Sequence, residues 1–567
     1  MRRGLRGGWR RLSTKLGILV LSMGLVASTG ASTVTVASAK DVYSMTNPAM
    51  GEKDPALKEF YKQRVKWGPC LDNALQASTF LERYKTFRNL GKMECGTVTV
   101  PVVYPDVIKQ DKALGNPWKV EKGKPAVATI AVSRVRAKGK RWGGMLINPG
   151  GPGGSGLNMA GSLASPASAA KILDHFDLVG FDPRGIGSSG PNLKCISNED
   201  FDQKRTFGEA TFTRQAVAYQ NQQNRAYMNG CIRNVGATFL AHMGTRDVVR
   251  DMDVIRAAIG DEKLTYIGYS YGTFLGSQYA EAFPNKVRAL VLDGVVDPTE
   301  DSVESAINQG RGFQKSFDAW AQWCVKTGAC PLGDNPAKAT EEFHKLVWPL
   351  QKKPAGTLMK GRLLSWSDSV YAVIGALYTD TAWPLLKLGL QQLKLKAGGD
   401  ILLALSDSYY GRSLDGAYTN TQDVFQAVLC MDHEATGHAR QVDMTRRYVK
   451  EMRFADPGGA VEDAPIDLCS MWPAHHTIKS HKSTARSNGN ILVVSTTGDP
   501  ATPYQSGVQL AHDMNAPLLT YVGEGHCAAL RGHSCVDRYV GDFIVHKKIY
   551  KDHVCLLYTS DAADDMQ

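Results

Sequence analysis

The first half of the chain alternates short apolar runs with polar, glycine-containing turns. Runs of β-branched and other apolar residues predict four strands, at 97–103, 129–135, 145–147 and 176–181. Pro101 falls inside the first run, and because proline cannot donate to a sheet ladder, part of that strand is expected at an edge. Helical spacing replaces the strand pattern at 245–259, where Thr245 is suited to begin a helix and Gly260 to end it.

Two more strands follow, at 264–268 and 287–292, with an apolar helix ending near Pro284 between them. Strands that alternate with helices are typical of an α/β fold with a mostly parallel sheet. After Pro298 the pattern changes, because residues from about 300 to 470 show helical periodicity without strand alternation. Strand character then returns, at 491–495 and 517–522. We therefore interpret the middle region as a largely helical insertion that interrupts the sheet.

This order divides the chain of 567 residues into five segments. They are a signal peptide (1–39), the first part of an α/β core (40–298), a helical cap insertion (299–470), the C-terminal part of the core (471–550) and a tail (551–567). The tail follows no pattern of strand or helix, and it is excluded from the predicted fold.

The first 39 residues have the three parts of a secretory signal. Basic residues precede an apolar run at 16–27, and small residues lead to an A-x-A site at 37–39. The apolar run is too short to span a bilayer comfortably, which disfavours the alternative of an uncleaved anchor. No later stretch is long and apolar enough to span a membrane. We expect a secreted, soluble mature chain without a membrane partner.

The net charge of +11 raises the question of a nucleic-acid partner. Six of the 66 Lys and Arg residues lie in the signal segment, which leaves 60 basic residues against 55 acidic ones. So small a surplus over so long a chain does not form the basic footprint of a nucleic-acid-binding protein, and we expect no such partner.

The eleven cysteines are consistent with an oxidising compartment. Their spacing suggests, without proving, the pairs Cys70–Cys95, Cys195–Cys231, Cys324–Cys330, Cys430–Cys469 and Cys527–Cys535. Cys555, in the tail, is left over. The clustered Cys and His spacing of a zinc site is absent, and we expect no metal.

Residues 268–272, GYSYG, match G-x-S-x-G between a predicted strand and a predicted helix. A nucleophile elbow requires this context, because a tight strand-to-helix turn presents the serine hydroxyl above the sheet edge. The N-terminal dipole of the following helix points to the same place. We predict that Ser270 is a nucleophile.

A serine nucleophile needs a base, and the base needs an orienting acid. Asp499 follows the strand at 491–495, and His526 follows the strand at 517–522. Because the carboxyl ends of parallel strands meet at one edge, both side chains are expected beside Ser270. The alternative for Asp499 is a simple turn aspartate before proline, and the alternative for His526 is a surface loop histidine.

Four other polar residues near strand ends are weighed against this assignment. His533 lies seven positions beyond His526 and would need a longer reach, and Glu524 is expected to point away from the imidazole. Asp182 and Arg184 end another predicted strand, and we expect them to form a salt-linked structural turn on the floor of the site.

The segment 147–156, INPGGPGGSG, also matches the dinucleotide fingerprint G-x-G-x-x-G. A dinucleotide site would place an acid about 20 residues further on, and Asp182 comes too late for that spacing. Pro152 also removes an amide that a pyrophosphate would use. No Gly-Lys-Ser/Thr follows, which excludes a P-loop.

The same glycine-rich loop fits a serine hydrolase better. There, the loop after the third strand supplies one oxyanion amide, and the residue after the nucleophile supplies the other. Gly151 and Tyr271 are the predicted donors of these two amides.

Five motifs in this order resemble the secreted bacterial tripeptidyl aminopeptidases, which are α/β-hydrolases related to proline iminopeptidases. The motifs are NPGGPGGSG, FDPRGIGSS, GYSYGTFLG, GDPATP and GEGHC. The resemblance runs from about Trp67 to about Gly541, and it implies an α/β-hydrolase fold with a helical cap between core strands. Residues 149–153 read PGGPG where the proline iminopeptidases have HGGPG.

The resemblance implies that Ser270, Asp499 and His526 form a triad that releases short peptides from the free N-terminus of polypeptides, without a metal or other cofactor. Such an enzyme must bind the substrate's ammonium group, which calls for a carboxylate in the cap. Asp432 and Glu434 are the candidates, and a solvated acidic turn is the alternative interpretation for both.

Other functions on the same core stay open. A secreted carboxylesterase or amidase would use the same triad, and a proline iminopeptidase is a less favoured third reading. A catalytically inactive binding protein is disfavoured because every member of the triad is present.

Overall fold

The computed structural model of the protein describes Tyr43 and residues 51–70, 92–164, 167–207, 210–550 and 553–556. The predicted signal segment and its A-x-A site lie outside the described residues. Among the helices that are described, none is long and apolar enough to cross a membrane.

Twelve strands are found in the described residues. They are β1 (Gly68–Pro69), β2 (Met93–Pro101), β3 (Val127–Val135), β4 (Gly143–Asn148), β5 (Phe176–Phe181), β6 (Leu264–Tyr269), β7 (Val287–Asp293), β8 (Ala355–Gly356), β9 (Leu363–Leu364), β10 (Ile491–Gly498), β11 (Leu518–Glu524) and β12 (Val554–Leu556). Ten of them form one sheet in the order β1-β2-β3-β5-β4-β6-β7-β10-β11-β12, and β8 pairs with β9 separately. From β5 to β12 all neighbours are parallel, whereas β1, β2 and β3 are antiparallel. The predicted α/β fold with a mostly parallel sheet is confirmed.

Eighteen α-helices accompany these strands in the described part of the chain. They are α1 (Lys58–Lys62), α2 (Ile108–Leu114), α3 (Leu157–Leu163), α4 (Ala170–Leu173), α5 (Asn198–Phe207), α6 (Arg214–Val235), α7 (Ala237–Ala241), α8 (Thr245–Ala258), α9 (Tyr271–Ala282), α10 (Ser302–Lys326), α11 (Ala339–Val347), α12 (Trp366–Leu377), α13 (Trp383–Lys394), α14 (Asp400–Tyr410), α15 (Thr421–Asp432), α16 (His438–Glu451), α17 (Tyr504–Met514) and α18 (Ser534–His546).

The central strands are buried on both faces, as expected for parallel strands with helices on each side. In β4, Leu146 packs into one hydrophobic cluster, and its neighbours Met145 and Ile147 pack into a second cluster across the sheet. The period of two along a strand therefore fills two cores at once.

Helix α8 is buried on all sides, although its sequence predicted a single apolar face. Its charged residues are accommodated because they are paired: Arg246 contacts Asp111 at 2.6 Å, and Arg256 contacts Asp253 at 2.6 Å. Ion pairing of this kind is what allows a charge to be buried. Thr245 is the first helical residue rather than the cap, and Gly244 occupies the cap position.

The region between β7 and β10 is largely helical and has its own hydrophobic cluster around Phe317 and Trp320. The strands β8 and β9 form a small ribbon that the sequence pattern did not predict. Helix α5, which precedes this region by about a hundred residues, also joins it, since Arg205 contacts both Asp368 and Asp407 at 2.6 Å. The cap is thus assembled from two segments of the chain, and the predicted boundaries 299 and 470 stay a prediction.

Four of the five predicted disulfides are confirmed: Cys70–Cys95, Cys195–Cys231, Cys324–Cys330 and Cys430–Cys469. The predicted Cys527–Cys535 pair is wrong. Cys535 is bonded to Cys555, and Cys527 is a buried free thiol. The reason is that β12 adds to the sheet beside β11 and brings Cys555 to α18. Excluding residues 553–556 from the fold was therefore also wrong.

Candidate active site

Ser270 lies in the turn between β6 and α9, where the motif predicted it. Its φ of 55° and ψ of −127° fall in a strained region that a non-glycine residue rarely adopts. The Ser270 N–H donates to the Asp293 carbonyl at the end of β7 (2.9 Å). A Cβ on Gly268 would lie 2.2 Å from the Gly272 carbonyl oxygen, so the tight turn requires glycine there. This geometry is that of a nucleophile elbow.

Asp499 and His526 follow the ends of β10 and β11, and the sheet brings them together. His526 Nδ1 lies 2.9 Å from each Asp499 carboxylate oxygen, and both residues are buried. The Asp499 carboxylate also accepts hydrogen bonds from the backbone N–H groups of Ala501 and Thr502, both at 2.9 Å. The acid is therefore fixed in place before it orients the imidazole.

The imidazole of His526 has one engaged and one open nitrogen. Nδ1 faces Asp499, whereas Nε2 is buried and has no hydrogen-bond partner among the described residues. Burial by itself lowers the pKa of His526, but the Asp499 carboxylate and the Cys527 side chain together raise it more, so this pKa lies well above its ordinary value. A Cβ on Gly294 would lie 3.3 Å from His526 Cε1, which places the ring next to the strand end that binds Ser270. Nε2 is the atom suited to act as a base.

Thr502 is a site residue that the sequence analysis missed. Its hydroxyl donates to Asp499 Oδ2 at 2.9 Å and lies 3.2 Å from His526 Nδ1. The available signal was a hydroxyl residue three positions after the acid in GDPAT, because short polar side chains there satisfy turn carboxylates.

The glycine-rich loop folds directly over the elbow. A Cβ on Gly150 would lie 2.8 Å from Ser270 Cβ and 3.1 Å from the Tyr271 nitrogen. Gly151 and Tyr271, the predicted oxyanion donors, line one cavity together with Ser270. As the first residue of α9, Tyr271 has a backbone N–H without an acceptor in its own helix. Their role as donors stays a prediction.

The other candidates at strand ends are engaged elsewhere. Glu524 packs against Gly498, where an added Cβ would lie 2.4 Å from its carboxylate, and His533 Nδ1 lies 3.0 Å from the Tyr521 hydroxyl. Neither side chain is hydrogen-bonded to the His526 imidazole, in agreement with the expectation that both are outside the triad.

Asp182 and Arg184 are structural, but they are not bonded to each other as predicted. Asp182 accepts hydrogen bonds from the Ser155 hydroxyl (2.6 Å) and the Ser188 N–H (2.9 Å), which fixes the glycine-rich loop. Arg184 instead forms two bonds to Asp251 on α8, at 2.8 and 2.6 Å. Burial raises the pKa of Asp182 to about 6. Arg184 binds α8 instead because the acids of that helix are buried, which its sequence pattern does not predict.

Asp432 and Glu434 differ in their surroundings. Asp432 is buried, and its carboxylate accepts bonds from the Tyr271 hydroxyl (2.6 Å), the Thr245 hydroxyl (2.8 Å) and the Thr245 N–H (2.8 Å). Burial raises the pKa of Asp432 to about 6. Glu434 is exposed, and both residues line the cavity that contains Ser270. Asp432 thus holds Tyr271, the residue next to Ser270.

The cavity at Ser270 has a volume of about 480 Å³ and lies between the sheet edge and the cap. Phe274, Phe425, Leu429 and Tyr448 give it an apolar wall. The carboxylates in the lining are Asp297, Glu300, Asp432, Glu434 and Asp467, whereas Lys479 is the one lysine or arginine that lines it among the described residues. The cavity is therefore suited to a partly apolar ligand that carries a positive charge.

Two groups of side chains in the described part of the chain have donor atoms close enough to ligate a metal. One is Asp499, His526 and Cys527, and the other is Cys535, His553 and Cys555. The first group already uses its Asp and His to bind each other, and the second has both thiols in a disulfide. Metal binding at either group would require these bonds to be given up.

Comparison with known proteins agrees with this geometry. Residues 145–532 match the family described as alpha/beta hydrolase fold. The chain is 40% identical over 491 residues to "Serine protease Hip1" of Mycobacterium tuberculosis (85% of this chain, 89% of Hip1). It is 42% identical over 447 residues to "Carboxylesterase B" of the same organism (79% and 83%), and 31% identical over 436 residues to "Tripeptidyl aminopeptidase" of Streptomyces coelicolor (74% and 75%). The chain therefore belongs to the α/β-hydrolase family and is a serine hydrolase.

Proposed function

We propose that this chain is a secreted serine exopeptidase that releases short peptides, tripeptides foremost, from the free N-terminus of polypeptides. Ser270 attacks the scissile carbonyl, His526 Nε2 takes its proton and later returns it to the leaving amine, and Asp499 orients the imidazole. The amides of Gly151 and Tyr271 stabilise the oxyanion. Water then releases the acyl-enzyme.

The observation that carries the proposal is the charge of the cavity around Ser270. Five carboxylates and one lysine line it. A peptide with a free N-terminus brings an ammonium group, whereas a neutral ester or an N-acylated peptide brings none. In a partly buried site, a charged hydrogen bond contributes about 1.5–3 kcal/mol, which is enough to select between them.

The ammonium group binds best to carboxylates in which at least one oxygen accepts no other hydrogen bond. Glu434 is exposed at the cavity and forms no ion pair within the described residues. Glu300 also lines the cavity, and burial raises its pKa, so a cation there would be favoured. We assign ammonium binding to Glu434 and Glu300, with Asp432 contributing negative potential from beneath.

Secretion is proposed on the signal segment at 1–39 and on the disulfides, five of which are found in the described residues. A peptide substrate is further supported by two relatives, one described as a serine protease and one as a tripeptidyl aminopeptidase.

A carboxylesterase is the second candidate function, favoured by the relative described as carboxylesterase B and by the apolar wall of the cavity. An ester needs the same nucleophile and oxyanion hole, but it does not need the carboxylates.

The decisive comparison uses a tripeptide p-nitroanilide with a free amine and the same compound with an N-acetyl cap. We expect kcat/KM to be about 10–100-fold higher for the free amine. Mono- and dipeptide anilides and short-chain p-nitrophenyl esters complete the panel. Equal turnover of the free and acetylated tripeptides, or turnover of esters alone, would favour the esterase.

Substitutions in the cavity test whether its carboxylates cause the preference for the free amine. Glu300→Gln and Glu434→Gln should reduce the preference for the free amine mainly through KM, because they remove attraction without touching the triad. Glu341→Gln is the matched control, since Glu341 is an exposed acid on α11 that pairs with Lys345. A preference unchanged in all three variants would mean that other groups bind the amine.

A further inference from the structure

Two segments of the cap, 352–362 and 383–397, form an outward surface that we call the leucine–lysine face. Together they contain seven basic residues and no acidic one, but Arg362 is buried in ion pairs with Asp202 and Asp407 and is not part of the face. The second segment reads WPLLKLGLQQLKLKA, in which Leu386 and Leu390 pack on the cap and other leucines are exposed.

Four leucines of this face point into solvent. Leu358 is 94% exposed and Leu395 is 67% exposed, and Leu385 and Leu388 are exposed as well. Leu388 and Leu395 are seven residues apart, which places them on the same side of α13 and its C-terminal turn. Several large apolar side chains exposed together mark an interaction surface, whereas single ones do not.

The two segments are held side by side. The Gly399 N–H donates to the Gly356 carbonyl (3.1 Å), and the Leu358 N–H donates to Asp400 Oδ1 (2.6 Å). The other oxygen of Asp400 accepts from Gln392 at 3.2 Å. Asp400, three residues after the second segment, is therefore used to join the segments, and Asp380, three residues before it, is exposed.

The lysines around these leucines are free to meet a partner. Lys352, Lys353, Lys360 and Lys396 are exposed, and none of them forms an ion pair within the described ranges. Protruding leucines surrounded by lysines have the chemistry that binds the headgroup region of an anionic bilayer. A second copy of this chain is a poor occupant, because it would bring the same positive charge to the contact.

We propose that the leucine–lysine face docks the protein on an anionic lipid surface, with the leucines in the interfacial layer and the lysines at the lipid phosphates. The contact is peripheral and needs no membrane-spanning helix. It revises the expectation that the mature chain has no membrane partner. None of these leucines or lysines lines the cavity at Ser270, so the proposal does not depend on the proposed function.

The test is co-sedimentation of the full chain with vesicles of phosphatidylcholine, with and without phosphatidylglycerol. We expect binding to the mixed vesicles that falls as salt rises, and little binding to pure phosphatidylcholine. Leu358→Ser combined with Leu395→Ser should weaken binding by about tenfold or more, and Lys360→Glu combined with Lys396→Glu should abolish the dependence on phosphatidylglycerol.

The matched control is Leu414→Ser. Leu414 is 89% exposed, but it lies in the turn after α14 beside Asp415, and its replacement should leave binding unchanged. Hydrolysis of a soluble substrate should be the same in all variants, which shows that each is folded. The proposal is overturned if wild-type protein ignores phosphatidylglycerol or if Leu414→Ser weakens binding as much as the paired change. It is also overturned if sedimentation without vesicles shows a dimer that Leu358→Ser with Leu395→Ser disperses.

Discussion

At the carboxyl edge of the sheet, Asp499 is bound by residues close to it in sequence, whereas the helices of the cap above it are joined by contacts between distant residues. Asp499 binds Thr502, three residues on, and His526, 27 residues on. In the cap, Arg205 binds Asp368 and Asp407, 163 and 202 residues on. The orientation of the acid and the imidazole is therefore set by short turns after two strands, whereas helices of the cap are joined by long-range ion pairs. The following changes act on one region or the other.

The largest effect is expected at the sheet edge, from Asp499→Asn. An amide in place of the carboxylate favours the wrong tautomer of His526, and kcat should fall about 10⁴-fold. The free energy of unfolding, measured by denaturant titration, should change far less than the catalytic barrier does. Glu524→Gln is the control because Glu524 lies beside the site without binding the imidazole. A larger loss from Glu524→Gln than from Asp499→Asn would reverse the assignment of the acid.

The corresponding change in the cap is Arg205→Met. It leaves Asp368 buried without its cation and removes one of the cations that pair with Asp407, which also contacts Arg362, so the free energy of unfolding should fall by about 3–5 kcal/mol. Because this ion pair joins α5 to α12 and α14, calorimetry should show the cap melting before the core. Arg311→Met serves as the control, because it breaks an exposed pair with Glu451 worth about 1 kcal/mol or less. A single transition shifted equally by both variants would mean that the cap does not depend on this pair.

A smaller effect is expected where the two regions meet, from Asp432→Asn. The substitution weakens the bonds to Tyr271 and Thr245, and kcat should fall about tenfold for free and N-acetylated substrates alike. If Asp432 itself bound the ammonium group, KM would instead rise for the free amine alone. Steady-state kinetics on both substrates separates positioning from binding.

The smallest effect is a shift in pH dependence. The raised pKa of His526 means that its neutral, basic form becomes populated only above the ordinary range, so kcat/KM should still be rising with pH above neutrality. Asp499→Asn removes the first of the groups that raise this pKa, so the rising part of the pH profile of the residual activity should move to lower pH. If kcat/KM of this variant rises over the same pH range as that of the wild type, a group other than His526 titrates there.

The same contrast explains what could be predicted from the sequence. Ser270, Asp499 and His526 could be located because each follows an apolar strand, and strand ends meet at one edge whatever the loops do. The partner of Arg184 could not be predicted, because Asp251 lies on a helix whose sequence indicates one apolar face and gives no sign that its acids are buried. Spacing alone favours the nearer Cys527 as the partner of Cys535, because the sequence carries no sign that Cys555 belongs to a strand of the sheet.

The most direct test of the account is covalent labelling with a fluorophosphonate, followed by mass spectrometry of the peptides. We expect one adduct, on Ser270, formed in parallel with loss of activity, and neither labelling nor turnover in Ser270→Ala. Circular dichroism of that variant should match wild type. An adduct on another residue, or labelling that survives Ser270→Ala, would contradict Ser270 as the nucleophile.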